Sequence, residues 1–264
     1  MRILLTNDDG IHAPGLVALE RIARALSDDI WICAPETEQS GKARALTLTE
    51  PLRVRALDDR RFAVAGTPTD CVMLAVRNLI TGAQPDLVLS GVNYGANLAE
   101  DVSLSGTVAG AIEGMALGIP SIALSQARGA QRTNDPAEFL TAETFGSDLV
   151  RRLLTAGWPP DVILNVNFPL KAPDPGATVA VTRQGFRDVS TRFAEHRTDL
   201  RGQAYYWVGY RYGLSNPATG TDIRAIYDGR ITVTPLHIDL THDDTVRILG
   251  AALARSSSIV EAVA

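Results

Sequence analysis

Arg2-Ile3-Leu4-Leu5-Thr6-Asn7-Asp8-Asp9-Gly10 is the segment from which the architecture of this chain can be read. Its first five residues form a short apolar run that is typical of a buried strand, and Asn7 to Gly10 interrupt that run with turn-forming residues. Pro14-Gly15-Leu16 then opens a helical pattern that reaches about Leu26. The N-terminal segment therefore predicts a strand, a loop and a helix, the first unit of an α/β fold.

The same alternation continues along the chain. A helix is expected after Thr67-Pro68, because threonine is a good N-cap and proline fits the first helical turn. Two further helices are expected, one from Ser105 and one over Pro136 to Ala156. The further expected strands are Asp29 to Ala34, Arg61 to Ala65, Asp86 to Ser90, Ser121 to Ser125 and Asp161 to Asn167. This order predicts a doubly wound, mostly parallel sheet in a three-layer α/β/α, Rossmann-like arrangement.

The pattern changes near Ala177. Strands are expected over Thr178 to Thr182, Tyr205 to Tyr210 and Arg230 to Pro235, separated by loops rich in glycine, proline and asparagine. We expect one domain over residues 1–264, with an α/β core at 1–170, an antiparallel β excursion at 177–236 and a closing helix at 240–262. An exposed excursion often serves as an interface between subunits, so we expect oligomerisation, although pairing within one chain explains such strands equally well.

Composition restricts the class of protein. The 264 residues carry a formal charge of -5 and no dense basic block, which disfavours a stable nucleic-acid complex or binding to anionic lipid. A run of about 18 apolar residues, as needed to cross a bilayer, does not occur, and Arg2 and Asp8 come too early for a signal peptide. Cys33 and Cys71 lie in apolar segments typical of reduced thiols. These features predict a soluble protein of the cytoplasm without a membrane partner.

Polar residues follow the expected strands at one edge of the sheet, where ligands bind in open parallel sheets. Asp8 and Asp9 follow the first strand, Ser40 follows the second, and Asn93 follows the strand that ends at Ser90. Two adjacent carboxylates repel each other, and a divalent cation would remove that repulsion. Because all of these donors are oxygens, the set favours Mg²⁺, Mn²⁺ or Ca²⁺ over Zn²⁺.

The segment Ser105-Gly106-Thr107 begins a helix, and the free amides of a helix N-terminus bind anions. Glycines recur every four residues from this point, at Gly106, Gly110, Gly114 and Gly118, which predicts that the helix lies unusually close to its neighbour. A cation site beside an anion site predicts metal-assisted hydrolysis of a phosphate ester. Taken singly, these motifs also have plain structural interpretations: Asp8-Asp9-Gly10 as a turn, Ser105 as an N-cap, and Thr67 with Asp70 as a capping pair.

The sequence lacks the motifs of several other classes of enzyme and binding protein. The sequence contains no G-x-G-x-x-G, no Walker A motif and no G-x-S-x-G elbow. A phosphorylated receiver module would need an aspartate after a central strand, where this chain has Ser90-Gly91. A noncatalytic protein that binds nucleotides or phosphate on the same fold remains the alternative, because fold alone does not determine function.

Several ordered motifs together resemble the SurE (survival protein E) nucleotidase family. They are Thr6 to Ile11, Gln39-Ser40-Gly41, Gly66 to Val72, Ser90 to Asn97, Ser105 to Val108, Asn165 to Pro169, Thr182 to Gly185 and Ile231 to Leu236. The resemblance implies a Rossmann-like core, a C-terminal excursion used in dimers or tetramers, and a metal-dependent phosphatase. Its substrates would be nucleoside 5′- or 3′-monophosphates, with short polyphosphate a further possibility.

The resemblance also implies roles for individual residues. The metal ligands fall on Asp8, Asp9, Ser40 and Asn93, and would hold one divalent ion per subunit, Mg²⁺ or Mn²⁺. Asn97 and the turn Ser105-Gly106-Thr107 fall on the phosphate side. Asp8 and Asp9 are the candidate catalytic residues, because either could accept the proton of the attacking water, although a carboxylate bound to a metal is a poor base.

Overall fold

A computed structural model describes residues 1–129, 136–171, 179–189, 192–210, 213 and 215–254 of the chain. Eleven strands and six α-helices occur in these residues. The strands are β1 Arg2–Thr6, β2 Asp29–Pro35, β3 Val54–Asp58, β4 Arg61–Val64, β5 Leu87–Tyr94, β6 Ser121–Gln126, β7 Ile163–Phe168, β8 Ala180–Val181, β9 Arg192–Thr198, β10 Ala204–Tyr210 and β11 Thr232–Leu236. The helices are α1 Pro14–Arg24, α2 Pro68–Leu74, α3 Gly106–Ala116, α4 Leu140–Ala156, α5 Asp222–Tyr227 and α6 Asp243–Ala254.

Nine strands form one central sheet in the order β3-β4-β2-β1-β5-β6-β7-β11-β8. The pairs are parallel from β4 through β7, whereas β3 runs antiparallel to β4 and β11 runs antiparallel to β7. Helices α1 and α4 cover one face of the sheet, and α2 and α3 cover the other. The predicted mostly parallel, three-layer α/β/α fold is therefore confirmed.

The apolar run of β1 explains why both faces need a helical layer. Ile3 and Leu5 point into the core beneath α1 and α4, while Leu4 points to the opposite face and packs with Cys71 and Val72 of α2. All three side chains of the run are fully buried. Side chains alternate along a strand, so a continuous apolar run is what a strand covered on both faces requires.

Several elements differ from the sequence-based expectations. β3, β9 and α5 were not expected, and the helix expected from Pro136 begins as a 3-10 turn at Pro136–Phe139 before α4. Two strands assigned to the C-terminal excursion, β8 and β11, instead extend the central sheet beyond β7. Thr178, where the first of these was expected to begin, and residues 255–262 of the expected closing helix lie outside the described residues.

The close packing predicted from the glycine series at α3 occurs at three of the four glycines. A Cβ atom on Gly110 would lie 2.9 Å from Ser90 Oγ and 2.9 Å from Thr6 Cγ2, so only glycine lets α3 pack this close to the sheet. Gly114 meets Val88 and Ser121 of the sheet in the same way, and Gly106 meets Asp8 in the loop after β1. Gly118 does not, because the helix ends at Ala116 and Gly118 adopts a φ of +81° in the turn that follows.

Strands β9 and β10 form a separate two-stranded antiparallel hairpin, as the antiparallel excursion predicted. Within the described residues, no helix combines the length and the apolar character needed to span a membrane.

Candidate functional site

The candidate site lies where the order of the sheet reverses. From β1 the chain runs outward through β2 and β4, and then returns to place β5 on the other side of β1, with Thr6 paired to Ser90. Loops that leave β1 and β5 diverge at their carboxyl ends, which opens a crevice there. Asp8 and Asp9 follow β1, and Asn93 is the second-to-last residue of β5, so the predicted site residues of both strands share this crevice.

Asp8 is buried against the start of α3. Its Oδ1 accepts a hydrogen bond of 2.6 Å from the Thr107 hydroxyl, and a Cβ on Gly106 would lie 2.7 Å from Asp8 Cβ. Burial, together with the negative charge of Asp9, raises the pKa of Asp8 to about 7 despite the Thr107 bond. Ionised Asp8, buried beside the charge of Asp9, is therefore electrostatically unfavourable without a nearby positive charge.

Asp9 is half-buried and reaches toward β5. Its Oδ2 accepts a hydrogen bond of 3.1 Å from the Tyr94 amide, next to the predicted ligand Asn93. The Asn93 side chain donates to the Gly95 carbonyl at 2.8 Å, which leaves its Oδ1 as the atom suited to a cation. The Asn7 side chain closes the turn by bonding both backbone groups of Gly10.

The loop after β2 lies beside Asp8, but Ser40 itself is turned outward. The Gln39 amide donates to the Asp8 carbonyl at 2.7 Å, which fixes the loop against the end of β1. Ser40 is exposed, and its hydroxyl donates to Glu38 Oε1 at 2.9 Å. The structure thus brings Asp8, Asp9 and Asn93 together, and it directs the Ser40 hydroxyl to a neighbouring carboxylate.

The N-terminus of α3 faces the same crevice. Ser105 is the N-cap, and its Oγ accepts a hydrogen bond of 3.0 Å from the Val108 amide. The amides of Gly106 and Thr107 belong to the first turn, where no intrahelical carbonyl is available to them. Since the Thr107 hydroxyl is bonded to Asp8, an anion at this position would meet the backbone amides rather than that hydroxyl.

Asn97 lies on the β6 and β7 side of the crevice and is almost completely buried. Its side-chain amide donates to Ser125 Oγ at 2.9 Å. Its backbone is held by Asn165 and Asn167 of β7, two residues that the sequence motif contained but to which sequence reasoning gave no role. The available signal was a pair of polar residues at alternate positions of an otherwise apolar strand.

Thr67 and Asp70 form the expected capping box at the start of α2. Asp70 does more than cap, because it also accepts hydrogen bonds from the Thr47 amide at 3.1 Å and from the Thr47 hydroxyl at 2.6 Å. The Thr67 hydroxyl donates to the Ala45 carbonyl at 2.7 Å. This capping pair therefore also anchors the long loop that carries Ser40.

The donors in the crevice fit a hard divalent cation. They comprise two carboxylates and neutral oxygens, and within the described parts of the chain no three His, Cys, Asp or Glu side chains form a metal-binding group. A site of this composition suits Mg²⁺ or Mn²⁺ better than a thiolate- or imidazole-seeking metal. Burial and the neighbouring Asp9 charge raise the pKa of Asp8, and a cation bound at this position would favour its ionised form.

Comparison with known proteins gives one consistent family. Residues 3–191 match the model of the family described as "Survival protein SurE". A protein of Caulobacter vibrioides named 5′-nucleotidase SurE is 66% identical over 253 residues, which cover 96% of this chain and 96% of the relative. A 5′-nucleotidase SurE of Parvibaculum lavamentivorans is 55% identical over 96% of this chain and 91% of the relative.

A solved structure agrees with the sequence comparisons. The crystal structure of a SurE protein from Aquifex aeolicus superimposes with a TM-score of 0.79 at 38% identity, covering 96% of this chain and all of that one. The family match extends over more than two thirds of the chain, and it includes every residue of the crevice between β1 and β5. On this evidence the chain belongs to the survival protein SurE family.

Proposed function

We propose that this chain is a metal-dependent phosphomonoesterase that hydrolyses nucleoside 5′- or 3′-monophosphates to nucleoside and phosphate. The observation that carries the proposal is the contact between the paired acids and the helix N-terminus, where the Thr107 hydroxyl lies 2.6 Å from Asp8 Oδ1. This contact supports the proposal, because a cation held by the paired acids would lie beside the free amides of a helix N-terminus, an arrangement suited to phosphate ester hydrolysis. The relatives named 5′-nucleotidase SurE support the choice of nucleotides as substrates.

In this proposal Asp8, Asp9, Ser40 and Asn93 hold one Mg²⁺ or Mn²⁺ ion per subunit. Ser40 would have to exchange its hydrogen bond to Glu38 for the cation, which is possible because its side chain is exposed. When bound, the ion supplies Lewis-acid chemistry, which polarises a phosphoryl oxygen and lowers the pKa of an adjacent water.

The chain's own residues bind and orient the substrate. The amides of Gly106 and Thr107 bind the phosphoryl oxygens at the positive end of the α3 dipole. The Ser105 hydroxyl preorganises these amides by capping the helix at Val108. Asn97 adds an amide donor from the opposite wall, because its Nδ2 has a second hydrogen besides the one bonded to Ser125. Asp8 and Asp9 are the candidate acceptors of the proton that the attacking water loses.

Phosphate release tests the proposal. Metal-stripped protein is given a panel of 5′- and 3′-nucleoside monophosphates, and glycerol phosphate as an ester without a base, before and after addition of Mg²⁺ or Mn²⁺. We expect phosphate release only when metal is present, and we expect it to be much faster from nucleotides than from glycerol phosphate. Tight nucleotide binding without release, from protein shown to be folded, would favour the noncatalytic alternative.

We further propose that the hairpin β9–β10 forms the interface of a homodimer or homotetramer. Tyr206, Trp207 and Val208 of the hairpin are 64%, 61% and 76% exposed. A two-stranded hairpin is at best marginally stable on its own, so a second copy packed on this face would stabilise it.

A reducing compartment such as the cytoplasm is proposed from the two cysteines. Cys33 and Cys71 are both free thiols and both buried, and burial together with contact from Cys33 raises the pKa of Cys71 well above its usual value. Such thiols are inert packing groups rather than disulfide partners of a secreted protein.

A further inference from the structure

The segment Asn97 to Ala99 enters the crevice and is held at its first residue by β7. The Asn97 amide donates to Asn167 Oδ1 at 2.8 Å. Its carbonyl accepts from Asn165 Nδ2 at 2.8 Å and from Asn167 Nδ2 at 3.2 Å. Both asparagine side chains are fully buried and lie on the same face of the strand. The peptide groups on both sides of Asn97 are therefore fixed without any contribution from regular secondary structure.

The last residue of the segment is held by the C-terminal part of the chain. The Ala99 amide donates to Asp222 Oδ2 at 2.9 Å, and its carbonyl accepts from Gln184 Nε2 at 2.9 Å. Asp222 is fully buried and also accepts bonds from the amides of Gly185 and Ile223. Ala99 adopts a φ of +53°, a left-handed conformation that a residue with a Cβ keeps only when its surroundings impose it.

Asn165 does not favour the stability of β7. Its neighbours Leu164, Val166 and Phe168 are buried and apolar, and Asn165 Oδ1 is buried without a hydrogen-bond partner in the described part of the structure. An unsatisfied buried oxygen lowers the free energy of unfolding, and an apolar residue of similar volume would avoid that loss. Among the residues that the structure describes, this side chain bonds only the Asn97 carbonyl, so Asn165 contributes to the crevice rather than to the pairing of the sheet.

We propose that Asn165, Asn167 and Asp222 are positioning residues that fix the Asn97–Ala99 segment so that Asn97 meets the phosphoryl group of the substrate. None of the three touches the substrate; each acts through the backbone of the segment. The inference rests on the proposed function, in which Asn97 is a phosphate-binding residue. It also gives α5 and the strand β7 a role in the reaction, although both lie far from Asp8 in the sequence.

The test uses Asn165→Leu in the full-length protein, since leucine has the same branched shape and number of side-chain heavy atoms and removes the unsatisfied oxygen. The thermal unfolding midpoint should stay at or above that of the wild type, and the affinity for Mg²⁺ should not change. The dissociation constant for inorganic phosphate and the KM for a nucleoside monophosphate should both rise about tenfold, with little change in kcat. A purely structural role would instead lower the unfolding midpoint and the active fraction, and would leave KM unchanged.

A second variant tests the other end of the segment. Asp222→Asn keeps the shape of the side chain but turns an amide donor toward the Ala99 amide or loses one of the other acceptor contacts. Its matched control is Thr221→Ala, which removes the N-cap bond of α5 to the Arg224 amide without touching Ala99. We expect both variants to unfold at lower temperature, and only Asp222→Asn to weaken phosphate binding.

Phosphate binding, measured by calorimetry on protein loaded with Mg²⁺, separates this inference from the proposed function. Wild-type protein that binds phosphate but releases none from nucleotides would overturn the proposed function, and the variants would still be judged by their dissociation constants. Wild-type protein that does not bind phosphate would overturn both. Unchanged dissociation constants in both Asn165→Leu and Asp222→Asn would overturn the inference alone.

Discussion

Thr107 joins the two halves of the candidate site through a single hydroxyl. Its bond to Asp8 Oδ1 lies between the cation ligands and the first turn of α3, so loss of that bond should let the buried carboxylate move. We expect Thr107→Val, which keeps the shape of the side chain, to lower kcat by about tenfold to a hundredfold, as loss of groups that orient metal ligands does. Thr107→Ser should retain most of the activity, because it keeps the hydroxyl. Equal activity of the valine and serine variants in steady-state assays would contradict this role.

Asp8 should make the stability of the metal-free protein depend on pH. Its folded-state pKa of about 7 lies above the ordinary value of 3.8, so between these values the folded protein keeps a proton that the unfolded chain has released. The free energy of unfolding contributed by this group therefore falls as pH rises from about 4 to about 7, by roughly 4 kcal/mol in all. Above pH 7 the loss is complete and constant.

Chemical unfolding of metal-free wild type and Asp8→Asn at several pH values measures this effect. The variant cannot ionise, so its stability relative to the wild type should increase between pH 4 and pH 7. Added Mg²⁺ should stabilise the wild type at pH 8 and leave the variant unchanged. A difference between the two proteins that does not vary with pH would show that Asp8 titrates normally.

At the scale of elements, helix α3 depends on the absence of side chains at its contact with the sheet. Gly110→Ala would place a Cβ 2.9 Å from both Ser90 Oγ and Thr6 Cγ2, so the helix must shift. We expect the free energy of unfolding to fall by about 1–3 kcal/mol, the usual cost of overpacking. Gly250→Ala in α6 is the matched control, since nothing lies within 4 Å of the new Cβ, and alanine should stabilise that helix by up to about 1 kcal/mol. Equal effects of the two substitutions in chemical unfolding would refute the close-packing explanation.

The elements that could be predicted from the sequence are those whose own residues show that they are buried. β1, β2, β5, β6 and β7 are apolar runs buried on both faces, and such runs are recognisable without knowledge of their neighbours. β3 and β9 are mostly exposed and rich in charge, so no apolar pattern marks them. β8 and β11 were expected as strands, but their place in the central sheet depends on long-range pairing with β7.

In the candidate site too, the residues that depend on local sequence could be predicted, and those that depend on long-range contacts could not. Asp8, Asp9 and Asn93 could be predicted because they lie just after or at the end of strands that the sequence identifies, and parallel strands end at one edge, although β5 extends to Tyr94 rather than ending at Ser90. The orientation of the Ser40 hydroxyl toward Glu38 could not, because it depends on the conformation of a long loop. Nor could the role of Asp222, which acts on a backbone amide 123 residues earlier in the chain.

At the scale of the whole molecule, the hairpin should determine the assembly. Tyr206 and Trp207 expose more than half of their surface on β10, and a second copy would cover them. We expect analytical ultracentrifugation to show a dimer or tetramer for the wild type and a smaller species for Tyr206→Asp with Trp207→Asp. Because the hairpin is a sheet of its own, the double variant should keep the fold of the core. A wild type that stays monomeric at micromolar concentration would contradict the proposed interface.

Metal-dependent phosphate release by wild type, Asp8→Asn and Asp59→Asn tests directly whether the paired acids after β1 form the active site. Asp59 is an exposed aspartate in the β3–β4 turn, at the amino-terminal edge of the sheet, so it controls for loss of one negative charge. We predict that metal-stripped wild type and Asp59→Asn regain phosphate release from nucleoside monophosphates when Mg²⁺ or Mn²⁺ is added, and that folded Asp8→Asn does not. Near-normal release by Asp8→Asn with excess metal would contradict a site built on the paired acids after β1.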